Sequence, residues 1–289
     1  MAVFSTKSFN PNNPMPTTLL AQAQPRTVAL PHRHSLADLL APLDALAGQS
    51  TNLVVNHEAR FTAGGESYTL PRYLFVGPKG GDTPIRLGIF AGVHGDEREG
   101  CHALVQFIKL LEAKPELAAG YYLSLYPVCN PTGFEDGTRH NRNGRDLNRE
   151  FWRNSAEPEV GLLQAELTSR SFQGLISLHT DDTSDGFYGF VRGATLTRHL
   201  IEPVLQAAEK FLPRDRRSVI DGFNARNGVI RDCYDGVLSA PPRSRPQPFE
   251  LILETPHTPP EYLKVCAFVL ALQTILTEYR KFIAYAQNI

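Results

Sequence analysis

Arg86-Leu-Gly-Ile-Phe-Ala-Gly-Val-His-Gly-Asp-Glu97 is an apolar, strand-like run that ends on a histidine and carries a glutamate three positions later. That is metal-ligand spacing at a strand end. The small residues Ala91-Gly92-Val93 let the backbone turn closely, which brings the His94 imidazole and the Glu97 carboxylate to one side. Imidazole with carboxylate suits zinc. A catalytic zinc takes three protein ligands and keeps a fourth position for water, so the pair requires a third ligand elsewhere.

Outward from this stretch, strands and helices alternate. Helical spacing from Cys101 to Leu111 stops before Pro115, residues 121–129 form a strand in spite of Pro127, and helical spacing returns over 158–170. A compact strand Leu175-Ile-Ser-Leu178 follows, then a helix over 195–211, a strand over 249–253 and a long helix over 260–284. Upstream, residues 52–56 and 67–76 read as strands, and residues 85–93 as the strand that delivers His94. Leu36, Leu39, Leu40, Leu43 and Leu46 behind the N-cap candidate Ser35 predict a short amphipathic helix, which Pro42 kinks or breaks. Residues 1–33, with Asn-Pro-Asn-Asn-Pro-Met-Pro, predict an extended arm or a flexible tail. The organisation is α/β: an N-terminal extension with a short helix over 1–50, and one catalytic domain over 51–289.

The 289 residues are 42% hydrophobic and 20% charged with 22 Gly and 22 Pro, the profile of a globular chain rich in loops. A net charge of −1 supplies no broad basic field for nucleic acid or an anionic membrane, so neither is expected as a partner and a small or peptide-like substrate is. Four cysteines without a C-x-x-C pair suggest free thiols, with Cys129 and Cys266 buried, and a reducing, cytoplasmic setting. The N-terminus lacks a basic segment followed by an apolar stretch and a cleavage site, and no later segment reads as a membrane span. Nothing in the chain specifies an oligomeric state.

The third ligand candidate is His179, directly after the strand Leu175–Leu178, because ligand crevices form at strand ends of open α/β sheets. Alone, such a histidine is more often a hydrogen-bonded loop residue; its value comes from His94 and Glu97. Glu254 ends the next apolar strand and faces the same region, either as a salt-bridged carboxylate or as a general base toward the attacking water. Between the ligands, Gly137-Thr-Arg-His-Asn-Arg-Asn-Gly-Arg-Asp-Leu-Asn-Arg149 is dense in guanidinium groups that suit a carboxylate or a developing oxyanion. Arg139 and Arg149 are favoured for function there, Arg142 and Arg145 less so.

Taken in order, H-G-D-E, N-P-x-G, T-R-x-N, D-L-N-R, I-S-L-H and L-E-T resemble the M14 zinc metallocarboxypeptidase family, over about residues 70–284. The resemblance implies a three-layer α/β/α fold with a mixed central sheet and one Zn2+ held by His94, Glu97 and His179, the two-histidine, one-glutamate set of carboxypeptidase A. It makes Glu254 the catalytic glutamate, Arg139 the oxyanion-stabilising arginine and Asn148 with Arg149 the binders of the substrate's terminal carboxylate. Asp146 matches the aspartate that orients the first histidine, and Tyr234 is the candidate for a mobile substrate-binding tyrosine. Arg231, Asp232 and Asp235 are candidates for the pocket determinant, or an ordinary exposed loop. The implied activity is hydrolysis of a terminal or near-terminal amide in a carboxylate-bearing peptide, similar to the bacterial murein peptide amidases. The alternatives are an N-acyl amino acid deacylase of the related succinylglutamate desuccinylase/aspartoacylase branch, and a zinc-binding homologue without turnover.

Overall fold

A computed structural model describes residues 33–79, 83–194 and 197–286; the predicted arm lies outside them except for its last residue. The elements run α1 (Leu36–Ala47), β1 (Leu53–Asn56), β2 (Arg60–Ala63), β3 (Glu66–Thr69), β4 (Arg72–Val76), β5 (Ile85–Ala91), α2 (Arg98–Ala113) and β6 (Tyr121–Tyr126). They continue with α3 (Pro131–Asp136), α4 (Pro158–Ser169), β7 (Gly174–Asp181), β8 (Tyr188–Gly193), α5 (Thr197–Ala208), β9 (Val219–Ile220), β10 (Phe223–Arg226), β11 (Val229–Ile230), β12 (Phe249–Pro256) and α6 (Glu261–Ala286).

Ten strands form one mixed sheet in the order β1-β4-β6-β5-β7-β12-β8-β11-β10-β9, with β2 and β3 paired separately. β5 pairs in parallel with β6 and β7, and β7 in parallel with β12. The three strands predicted to carry the chemistry, β5, β7 and β12, are therefore central neighbours whose carboxyl ends share one edge. Period-2 alternation sorts their side chains. Leu87, Ile89, Ala91, Ile176, Leu178, Leu251 and Leu253 enter the large core under α1, α2, α5 and α6, whereas Phe90 and Leu175 enter the core under α4. The result is three layers, α/β/α. His179 and Glu254 are register partners, so they project from one face of the sheet, the one opposite the four-helix layer.

Boundaries moved where proline or shortness governs. The run 67–76 is two strands separated by Leu70-Pro71, and the strand expected over 121–129 ends at Tyr126, before Pro127, which has no N–H for a ladder. β2 and β8–β11 were not read, four of them having four residues or fewer. α1 carries Pro42 inside the helix and is capped by Ser35, which accepts from the Asp38 amide. Its Leu40 and Leu43 are buried in the same core as α2 and β1. α6 corrects the reading that no segment has the length of a membrane span, since by length and composition it is long and apolar enough for one. Packing accounts for that composition: Ala267, Phe268, Ala271, Leu272, Ile275 and Leu276 repeat at helical spacing and are buried in the core shared with α2 and α5. All four cysteines are free; Cys101 and Cys129 are buried, Cys233 and Cys266 half-buried.

The turn after β5 depends on two glycines. Gly92 has φ +60°, and a Cβ there would lie 2.6 Å from Cys101 Sγ. A Cβ on Gly95 would lie 2.0 Å from the Gly133 carbonyl carbon, a backbone atom that cannot swing aside. Gly95→Ala is therefore expected to lower unfolding stability by about 2 kcal/mol or more, within the range for overpacking, and to reduce zinc retention by displacing His94. Urea denaturation with metal analysis checks both; an unchanged midpoint would show that the Gly133 segment yields.

Candidate metal centre and active site

His94 leaves the end of β5, Glu97 is the N-cap of α2, and His179 lies near the end of β7. Their donor atoms all fall within 4.8 Å of one another, and all three residues are buried. Nδ1 of His94 lies 2.6 Å from Glu97 Oε1, Nδ1 of His179 lies 2.9 Å from Glu97 Oε2, and the two Nδ1 atoms are 3.3 Å apart. That last distance is about the edge of a tetrahedron with metal–nitrogen bonds of roughly 2.0–2.1 Å. The site fits zinc in donor chemistry and in spacing.

The outward nitrogens are occupied, which turns Nδ1 of each ring inward. His94 Nε2 is 3.1 Å from Asp146 Oδ1, as the sequence reading placed it, and His179 Nε2 is 2.8 Å from Ser177 Oγ. Ser177 was missed, although it lies two residues before His179 on a strand and so shares its face. Asp146 does more than orient His94: Oδ1 also accepts from the Asn148 amide at 2.9 Å, and Oδ2 accepts from Arg139 Nε and Nη2 at 3.2 and 3.1 Å. Arg139 Nη1 is 3.5 Å from Glu97 Oε1, which places its guanidinium at the rim of the metal site. Asn130 shapes this region from below, accepting from the Gly133 amide at 2.9 Å and donating to the Arg139 carbonyl at 3.4 Å.

A second set of bonds links residues adjoining the site. Thr180 and Thr255, each one residue past His179 or Glu254, have hydroxyls 3.1 Å apart. Thr180 donates to Glu99 at 3.4 Å, and Glu99 pairs with the buried Lys264 of α6. Lys264 also donates to the His257 carbonyl at 3.1 Å, so the buried ammonium is compensated on two sides.

A cavity of about 760 Å³ opens beside the triad and is lined by Arg139, Asn148, Arg149, Tyr234 and Glu254, so every predicted catalytic and substrate-binding position faces it. Burial, reinforced by Glu97, Asp181 and Asp221, pushes the Glu254 carboxyl well above the ordinary carboxylate range, the direction that suits a base working near neutrality. Among the described residues the Glu254 carboxylate has no hydrogen-bond partner. Asn148 is committed in part, its Oδ1 accepting from the Leu238 amide at 2.9 Å. Tyr234 lies under Arg149, with the guanidinium carbon 4.1 Å from the ring centroid. Arg142 is absorbed structurally by Asp136 and Glu66, and Arg145 is exposed. Arg231, Asp232 and Asp235 are exposed and do not line the cavity; Cys233, Val237, Asp181 and Asp221 do, and no motif marked them.

The charges around the triad predict a proton-linked metal site. Burial pushes His94 down, but Glu97 and Asp146 outweigh it and raise it to about 9. Burial lowers His179, leaving it neutral. Burial would raise Glu97, yet the two histidines hold it well below the usual range. Below pH 9 zinc must therefore displace the His94 proton. Zinc affinity is expected to rise about tenfold per pH unit between roughly pH 6 and 8, with release of one proton. Chelator competition and proton release in weak buffer measure both. Ser177→Ala is expected to weaken zinc binding about 10- to 100-fold while Kd stays measurable; an unaltered affinity would mean that the Ser177 contact does not orient the ring.

Residues 84–213 match the family model of the succinylglutamate desuccinylase/aspartoacylase catalytic domain. No curated protein sequence matches the chain. Among solved structures, a candidate metallopeptidase from Shewanella amazonensis SB2B is similar with TM-score 0.69 and 26% identity, over 83% of this chain and 91% of that one. One from Shewanella denitrificans OS217 gives TM-score 0.69 and 24% identity, over 83% and 88%. A metallo-carboxypeptidase from Burkholderia cenocepacia shares the fold with TM-score 0.66 and 19% identity, over 86% and 70%. The family match spans the segment that contributes His94, Glu97 and His179, and the likeness of fold extends over most of the chain. Over residues 84–213 the chain is thus similar to the succinylglutamate desuccinylase/aspartoacylase catalytic domain, and its fold is the carboxypeptidase-like α/β fold, with His94, Glu97 and His179 gathered as a buried group able to hold a metal ion.

Proposed function

We propose that the protein is a zinc-dependent amide hydrolase whose leaving group is an amino acid bearing a free carboxylate, most simply the terminal residue of a short peptide. The observation that carries this reading is a single cavity that brings together the triad, an unpartnered Glu254 carboxylate, and the Arg139, Asn148 and Arg149 side chains. Zinc held by His94, Glu97 and His179 supplies Lewis acidity toward water and the scissile carbonyl.

The protein's own groups complete the reaction. Glu254 faces His179 across the β7–β12 pairing; it takes the proton of the attacking water and delivers it to the departing amine. Arg139, aimed by Asp146, meets the negative charge that grows on the carbonyl oxygen. Arg149 and the free amide nitrogen of Asn148 hold the carboxylate, which fixes the scissile bond against Glu254. A cavity of about 760 Å³ lies in the upper part of the range for small-molecule sites, which favours a peptide of more than one residue.

The family match supports a second reading, removal of an acyl group from an N-acyl amino acid. The two share a scissile amide next to an α-carboxylate and differ only on the acyl side. Turnover of short peptides against N-acetyl and N-succinyl amino acids separates them, and selective deacylation would refute the peptidase reading. Glu254→Gln is expected to lower kcat by about 10²- to 10⁴-fold with zinc content unchanged. Full turnover in that variant would sink the mechanism.

A further inference from the structure

We propose that Tyr234 and Asp221 are positioning residues that hold Arg149 as an anion receptor without neutralising it. The inference rests on the reading that Arg149 takes the substrate carboxylate.

The arginines of the 137–149 loop differ in how they are held. Arg139 is paired with Asp146, and Arg142 with Asp136 and Glu66. Arg149 faces the cavity and, among the described residues, has no carboxylate within ion-pair distance. Its Nη1 donates to the Asn148 carbonyl at 2.8 Å, and its guanidinium carbon sits 4.1 Å from the centre of the Tyr234 ring. An aromatic face restrains a guanidinium through its quadrupole while leaving the N–H fork and the net charge for an incoming anion. A carboxylate in the same place would compete with the ligand.

The ring is itself fixed. The Tyr234 hydroxyl donates to Asp221 Oδ1 at 3.0 Å and approaches the Asp221 carbonyl at 3.2 Å, while Phe223 meets the ring edge-on at 4.8 Å. Asp221 occupies the turn between β9 and β10 with φ +49°, a left-handed conformation that aspartate tolerates better than most residues. The short β9–β11 excursion thus supplies a negative group that grips the tyrosine hydroxyl, one side chain removed from the guanidinium. This differs from a mobile tyrosine that acts on the substrate.

The test uses zinc-loaded protein and two thiol probes, 3-mercaptopropionate and 3-mercaptopropionamide, titrated calorimetrically. The thiol anchors each probe at the metal, and only the acid offers a carboxylate. Wild type is expected to prefer the acid at least tenfold, and Arg149→Ala to abolish that preference. Tyr234→Leu is expected to remove three- to tenfold of it with amide affinity unchanged. Tyr234→Phe, which keeps the ring, and Asp221→Ala, which frees the hydroxyl, are each expected to lose two- to threefold.

No preference in wild type, or a preference that survives Arg149→Ala, would overturn the carboxylate reading and the inference with it. If those two behave as expected but Tyr234→Leu and Asp221→Ala retain the full preference, the inference alone fails. It also fails if Tyr234→Leu weakens acid and amide alike, since the ring would then only pack. Should Tyr234→Leu not fold, Tyr234→Phe and Asp221→Ala decide the matter by the same criterion.

Discussion

The parallel pairing of β7 with β5 on one side and β12 on the other is the constraint on which the site depends. It sets Leu178 beside Ala91 and His179 beside Glu254. Because strand side chains alternate, a slip of one residue would carry His179 or Glu254 into the helical layer and bring a leucine to the metal. Ile176, Leu178, Leu251 and Leu253 oppose that slip, since all are buried under the helices only in the observed register. The apolar core therefore fixes chemistry as well as stability. The hydroxyl pair Thr180–Thr255 adds a polar contact between the same two strands, beside the functional pair.

Electrostatics explains why the polar residues cluster as they do. Glu97 is buried between two imidazoles, and its carboxylate stays ionised because both rings favour the charged form over the cost of burial. Without a divalent ion that arrangement retains a proton on His94; with one, the proton leaves and the carboxylate keeps its partner. Asp146 couples this centre to the Arg139 guanidinium, since one oxygen meets His94 and the other accepts from Arg139. Loss of Asp146 would release the His94 ring and the Arg139 guanidinium together, so its two contacts cannot be separated by removing the side chain.

The parts of the site legible in the sequence were those written locally. H-G-D-E, I-S-L-H and L-E-T each place a polar residue at the end of an apolar strand, and the fold expected from their order is the one observed. Asp146 was legible through the resemblance of D-L-N-R to the family motif, and the need of a metal-bound imidazole for an oxygen on its other nitrogen agrees with it. Ser177 was missed even though period 2 marks its face. Asp221, Lys264 and Glu99 were illegible for a different reason: their meaning comes from partners 13, 165 and 81 positions away. Tyr234 fell between these cases. Its presence in a loop before Glu254 was readable, whereas its place under Arg149 depends on three strands of four residues or fewer, too short for any periodic signal.

The same division bears on specificity. A peptide with a free carboxyl end and an N-acyl amino acid are chemically alike from the scissile carbonyl to the carboxylate, so the roles proposed for Glu254, Arg139, Asn148 and Arg149 are the same for either one. Discrimination must come from cavity walls outside that shared core. Asp181 and Asp182 from the end of β7, Phe190 from β8 and Ile252 from β12 line the cavity without belonging to the catalytic set. Tyr188 joins two of these segments, donating to Asp181 at 3.0 Å while its backbone pairs with Glu254. In the proposed mechanism the strand-end motifs carry the reaction, while the β7–β8 connection and the β9–β11 excursion supply cavity walls outside that set. Asp181 and Tyr188 are also register partners of β12, so these walls are tied to the same strand that carries Glu254.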